Sequence, residues 1–154
     1  METLQFEIDV ASKKELVWRA WTQTERITKW FAPAAHIDAR PGGAFELFFD
    51  PVNRDHMCTK GCTFTLLEPM ERLGFTWKGP DEFAEVMNKD ESLTYVLVTL
   101  SEENGATKVV VEHSGWGEGS EWENARNWHE IAWKQVLGSL KSALESGEGE
   151  LCCT

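Results

Sequence analysis

Apolar and polar residues alternate without a break from Leu4 to Val10. Leu4, Phe6, Ile8 and Val10 fall on one side, and Gln5, Glu7 and Asp9 on the other. A period of two with one apolar side predicts a half-buried β-strand. Ser12 and Glu15 follow at capping-box spacing. Leu16, Val17, Ala20 and Trp21 then recur at helical spacing, which predicts a helix over 13–21. Thr22 or Thr24 can cap a second short helix that runs to Phe31 and is stopped by Pro33, because the residue before a proline is driven out of the helical region.

Period two then returns. It predicts strands over 36–40, 44–49, 58–67, 72–78, 92–101 and 106–114. Phe45 and Leu47 share a face of one of these, as do Leu73, Phe75 and Trp77 of another and Val96, Val98 and Leu100 of a third. Pro41-Gly42-Gly43, Pro69-Met70-Glu71 and Asn104-Gly105 supply turns between them, and Asn-Gly is the strongest short hairpin signal. Residues 81–91 are charged with little periodicity, so they read as a solvated loop with room for a helical turn. After Gly115-Trp116-Gly117-Glu118-Gly119, Ser120 is placed to cap a long helix that Gly147 ends. Its stripe is Ala125, Trp128, Ala132, Val136, Leu140 and Ala143, widened by Trp133, Leu137 and Leu144. About 26 helical residues span about 39 Å, enough to cross a whole sheet.

This order predicts an α+β fold. A curled antiparallel sheet wraps around the long C-terminal helix, with two short helices after the first strand, since strands joined by short turns pair antiparallel and must bury one face under helices. Residues 1–147 form one domain in this reading, and 148–154 a flexible tail.

Composition narrows the function. The chain has 154 residues with a formal charge of −11. That balance argues against nucleic acid, which is held by Lys and Arg, and against anionic membrane surfaces. The start at Met1-Glu2-Thr3-Leu4 lacks the basic and apolar runs of a secretory signal, and no stretch reaches the ~18 apolar residues of a membrane span. A cytoplasmic location is the expectation, with the cysteines reduced. Eight Trp and eight Phe stand against one Tyr. Such a load makes either a bulky core or a cavity walled by flat rings, as in ligand pockets.

Candidate chemistry is sparse. His56, Cys58 and Cys62 have ligand types that suit zinc, but two cysteines four apart on a continuous strand sit about 13 Å apart. Only a turn at Lys60-Gly61 brings them closer. No metal or other cofactor is expected. Cys152-Cys153 is an adjacent pair on the tail, better suited to thiol reactivity than to a structural bridge. His113 shares a face with Val109 and Val111, so it points into any cavity under the sheet, whereas His36 and His129 show no companions. No phosphate-binding glycine loop follows a strand, and no Gly-x-Ser-x-Gly elbow is present.

Val17-Trp18-Arg19-Ala20-Trp21-Thr22, Trp30-Phe31-Ala32-Pro33 and Asp38-Ala39-Arg40-Pro41-Gly42-Gly43-Ala44-Phe45 together resemble the opening of the START-like, helix-grip superfamily. The runs Gly61 to Leu66, Glu71-Arg72-Leu73-Gly74-Phe75-Thr76-Trp77 and Thr107 to Trp116, with Trp128 beyond, resemble the branch named for the activator of heat-shock protein 90 ATPase. The resemblance runs over roughly residues 3–145. It implies the same fold and an apolar cavity between sheet and helix.

Pattern and resemblance together lead to binding of a small hydrophobic or aromatic molecule in that cavity. The expected lining is Trp30 and Phe31 at the mouth; Phe45, Leu47, Phe75, Trp77 and Val98 on the sheet; His113 and Trp116 at the end of the last strand; and Trp128 and Ala132 on the helix. Trp77 and Trp128 are expected to bound a space of a few hundred Å³. The alternatives are a cyclase or dehydratase acting on an aromatic or polyketide-like substrate, and a chaperone-ATPase regulator. Only His113 offers a polar group for catalysis, which argues for binding, and no catalytic residue is assigned. A chaperone or a second copy of the chain is the macromolecular partner to consider.

Overall fold

The computed structural model describes residues 1–50 and 52–147. The cysteine pair and the tail at 148–154 lie outside them.

Strand β1 (Leu4–Val10) is followed by helices α1 (Lys14–Thr22) and α2 (Thr24–Ile27). Six strands come next: β2 (Ala34–Ile37), β3 (Phe45–Phe48), β4 (Phe64–Glu68), β5 (Arg72–Trp77), β6 (Thr94–Glu103) and β7 (Ala106–Ser114). The short helix α3 (Ala84–Met87) lies between β5 and β6, and α4 (Ser120–Ser146) closes the chain. Five strands form one antiparallel sheet in the order β1-β7-β6-β5-β4. The β2–β3 hairpin is a separate ladder, joined to the residues before β4 by the bridges Ala44–Thr63 and Phe48–Cys58. The result is the expected α+β arrangement, a curled antiparallel sheet gripping a long helix.

Several local expectations gave way to tertiary contacts. Ser12 does not cap α1: it is buried, its carbonyl accepts the Thr107 hydroxyl at 2.7 Å, and Lys13 takes the cap position with no side-chain bond. Neither Thr22 nor Thr24 caps α2, which starts after Gln23. That helix stops at Ile27 rather than Phe31, and the turn that follows delivers the consecutive rings of Trp30 and Phe31 into the core together. The strand expected over 58–67 is interrupted. Gly61 lies at φ +91°, so a turn at Lys60–Gly61 occupies its first half. Ser120 does not cap α4; Gly119, at φ +112°, precedes it instead.

Other expectations hold. Asn104 and Gly105 both have positive φ, at 55° and 80°, the signature of the two-residue hairpin turn whose twist matches its strands. Gly147 ends α4 in the left-handed conformation. The edge of β1 is covered by α4, since Lys141 Nζ donates to the Asp9 carbonyl at 2.6 Å and Arg126 Nε to the Glu2 carbonyl at 2.8 Å. Cationic side chains thus satisfy carbonyls that would otherwise present a pairing edge.

The buried stripe of α4 is rotated from the expected one. Ala125, His129, Trp133, Val136, Leu137, Ser139 and Leu140 face inward, while Trp128 and Ala132 sit half-buried at its border. The rotation brings His129 and Trp133 under β7 and β5.

Candidate functional site

Buried histidines organise one end of the sheet–helix interface. His113, on β7, and His129, on α4, have ring centroids 5.4 Å apart. Trp133 Nε1 donates to His113 Nδ1 at 2.9 Å. Since that nitrogen accepts, the His113 proton sits on Nε2 and is donated to Thr94 Oγ1 at 2.7 Å. Trp77 Nε1 donates to His129 Nε2 at 3.0 Å. His129 therefore carries its proton on Nδ1, which donates to the Ala125 carbonyl at 2.7 Å. Two indoles hold two neutral imidazoles in opposite tautomers. Burial pushes both histidines down, His129 to about 4, and His113 is lowered further by its neighbour. A protonated ring has no lone pair to accept an indole N–H, so the indole bonds and desolvation favour the same neutral state, outweighing the Ala125 carbonyl, which favours the charged form of His129.

A cleft opens beside this pair. Phe31, Phe49, Trp77, Trp128, Ala132, Trp133 and Val136 give it apolar walls, with Met57, Cys58, Lys78, Gly79, Pro80 and His129 completing the lining. It encloses about 40 Å³, or about 510 Å³ when space open to solvent is counted. The enclosed part is smaller than the few hundred Å³ expected, because Trp133 and Trp77 approach to 6.0 Å and fill the space beneath. Trp128 stands at the rim, against Phe83 at 6.3 Å and His129 at 4.8 Å.

The structure brings some expected lining residues together and separates others. Phe31, Trp77, Trp128 and Ala132 line the cleft. Trp30 and Phe31 do not form a mouth: both are fully buried, and the Trp30 indole donates to the Ala20 carbonyl at 3.0 Å. Phe45, Leu47, Phe75 and Val98 lie in the filled core, with Phe45 and Phe75 stacked at 3.8 Å. His113 and Trp116 pack behind the cleft, where the Trp116 indole donates to the His113 carbonyl at 2.8 Å. Sequence reasoning missed His129, for which four-residue spacing from Ala125 and to Trp133 was the available signal.

The thiols behave differently from one another. Cys58 is half-buried on the cleft wall, while Cys62 is fully buried and its thiol is pushed up to about 11 by burial. His56 instead faces carboxylates, with Nδ1 at 3.0 Å from Asp50 and Nε2 at 3.5 Å from Asp81. Among the described residues, no group of three or more His, Cys, Asp or Glu side chains is arranged to hold a metal ion. No helix among them is long and apolar enough to cross a membrane.

A curled sheet around one long helix, with a ring-lined cleft where they meet, defines a START-like helix-grip protein. The chain belongs to the family described as activator of Hsp90 ATPase homolog 1-like protein, which matches residues 11–145. No curated protein is matched. Among solved structures, the Aha1 dimer of Colwellia psychrerythraea is 23% identical with a TM-score of 0.75, and the match covers 97% of this chain and all of that one. An HSP90 activator from Plasmodium falciparum is 15% identical with a TM-score of 0.68, covering 96% of this chain and 98% of that one. DynU16, from the dynemicin biosynthetic locus, is 20% identical with a TM-score of 0.71; 97% of this chain matches 49% of that one, so this chain spans about half its length. At these identities the likeness is one of fold.

Proposed function

We propose that this chain binds a small apolar or aromatic molecule in the cleft between β5 and α4. The observation that carries the reading is the cleft itself, walled by Phe31, Trp77, Trp128 and Trp133, whereas Phe45 and Phe75 stack at 3.8 Å in the filled core. Concave, mostly apolar sites with few polar groups are where small ligands bind. The pair of histidines supports binding more than catalysis. Every ring nitrogen of His113 and His129 is already engaged, so neither offers a lone pair to a substrate. The test is a titration with a neutral planar dye, followed by tryptophan emission. The unaltered chain should bind and show quenching, and Trp128→Ala should change the affinity. Absence of dye binding in both forms would refute the reading.

A second reading, regulation of a chaperone ATPase, is supported by the family and by the likeness to the Plasmodium falciparum activator. Stimulation of a purified Hsp90 ATPase by this chain would test it, and unchanged turnover at saturating chain would argue against it. The Colwellia psychrerythraea dimer likewise makes a second copy a partner to check by sedimentation.

A further inference from the structure

The enclosed part of the cleft, about 40 Å³, is below the few hundred Å³ that hold a small ligand. Binding therefore needs a wall that yields, and most of the walls are held. Trp77 is tied to His129 at 3.0 Å and Trp133 to His113 at 2.9 Å. The strand end beyond Trp77 is pinned, since the Asn88 side chain accepts from the Gly79 amide at 2.8 Å and donates to the Gly79 carbonyl at 2.9 Å. A Cβ on Gly79 would meet Met87 Sδ at 2.5 Å, so glycine permits this close seat over α3.

The remaining wall comes from Phe49, Met57 and Cys58, which flank the exposed residues 52–56. Those residues are knit to one another. Asp50 Oδ1 accepts from the Val52 amide at 3.0 Å and the Asn53 amide at 3.3 Å. Asn53 Oδ1 accepts from the Asp55 amide, and the Asn53 carbonyl from the His56 amide, both at 3.1 Å. Among the described residues, the hydrogen bonds and ion pairs that 52–57 make beyond the stretch 45–60 all end on one side chain, Asp81. Its carboxylate accepts from the Met57 amide at 3.3 and 3.4 Å and faces His56 Nε2 at 3.5 Å. Asp81 directly follows Gly79-Pro80, so this one carboxylate ties two walls of the cleft together. The tie is solvent-exposed, with half of each side chain of His56 and Asp81 open to water. Exposed ion pairs are weak, and segments held by few exposed bonds are the first to open. Met57 also sits at φ +50°, a conformation disfavoured for any residue with a side chain, so the closed arrangement is easily left.

We propose that residues 52–57 form a strap that swings off Asp81 to admit a ligand and then closes on it. This rests on the reading of the cleft as a ligand site and adds how that site is entered. Asp81 does not touch the ligand; it is a positioning residue that sets how often the strap is open. Opening lifts Met57 from the cleft wall and joins the enclosed space to the larger open one. On closing, the flexible Met57 side chain re-seats against the bound molecule while its amide returns to Asp81.

The experiment follows a neutral aromatic dye, N-phenyl-1-naphthylamine, by stopped-flow fluorescence as it enters and leaves the full chain. The same traces are recorded for Asp81→Ala, His56→Ala and, as a control, Glu82→Ala, with thermal melts establishing that each variant is folded. Asp81→Ala should raise the association and dissociation rate constants together by about fivefold, the upper range for losing an exposed charged contact. The dissociation constant, their ratio, should move by less than about twofold. His56→Ala should raise both rates by less, and Glu82→Ala should leave them unchanged. If the dye binds but Asp81→Ala changes neither rate, or speeds dissociation alone, the strap is wrong while the cleft remains a binding site. If the dye does not bind the unaltered chain, the cleft reading falls and the strap falls with it.

Discussion

Two tryptophan clusters lie on the inner face of this sheet, and only one leaves a space. In the first, Trp21 meets Trp30 edge-on at 4.7 Å and Phe45 stacks on Phe75 at 3.8 Å, with all these rings withdrawn from solvent. In the second, Trp77, Trp128 and Trp133 surround a cleft. Ring content is similar, so ring content does not make a pocket. The difference lies in what interrupts the packing. Gly79-Pro80 ends β5, Ala132 places a methyl where a larger side chain would reach the opposite wall, and Trp128 stands at the border of the buried stripe.

The largest effect should come from the filled cluster. Trp21→Ala should cost about 3–5 kcal/mol, because a cavity opens where neighbours cannot collapse, whereas Trp128→Ala at the rim should cost about 1 kcal/mol. Urea denaturation of both variants measures the contrast, and equal losses would break it. Trp21→Phe should cost much less than Trp21→Ala. The Trp21 indole nitrogen is buried without a partner among the described residues, so its removal forfeits no hydrogen bond.

Acid should act next, and on the cleft side. Below pH 6.5 the unfolded chain protonates His129, while the folded chain resists until about 4. The unfolded state then binds more protons, so stability falls as pH drops through that window and is fully present above it. The loss is about 3 kcal/mol from His129, with His113 acting in the same direction. Denaturation midpoints at intervals between pH 7.5 and about 4 should show this slope. In His129→Gln, whose amide oxygen can accept the Trp77 indole, the slope should be shallower; an unchanged slope would assign the acid sensitivity to other groups.

Smaller effects separate pinning from filling. Asn88→Ala should cost about 1–2 kcal/mol by freeing the Gly79 amide and carbonyl, and hydrogen exchange at Gly79 should accelerate. Ala132→Leu should shift stability by less than about 1 kcal/mol, since it grows into open space rather than into a packed core. Dye binding should nevertheless be lost. Retained dye affinity would place the ligand elsewhere.

The strands were legible because their signals are local and repetitive. The alternation of Leu4, Phe6, Ile8 and Val10 appears directly as the outer strand β1, and Asn104-Gly105 as the turn of the β6–β7 hairpin. The site was legible only in part. Trp77, Trp128 and Ala132 could be read as facing a cavity, because each sits on an amphipathic element. Trp30, Phe45 and Phe75 have the same apolar signature yet fill the core, since periodicity reports which face is buried and says nothing of how well that face is filled. His129 was passed over for a related reason: its partner, Trp77, is 52 positions away in sequence.

The sequence by itself determined the order of elements, the antiparallel sheet, the long helix and the side each strand presents to the core. These follow from period, turn chemistry and chain connectivity, which act over a few residues at a time. Tertiary structure alone decided the rotation of α4 about its axis, and with it the His113–His129 pair. A helix's apolar stripe is wide enough to tolerate several rotations. The one adopted is that in which the Trp77 and Trp133 indoles each find an imidazole nitrogen, because leaving buried donors unpaired costs more than half-exposing Trp128.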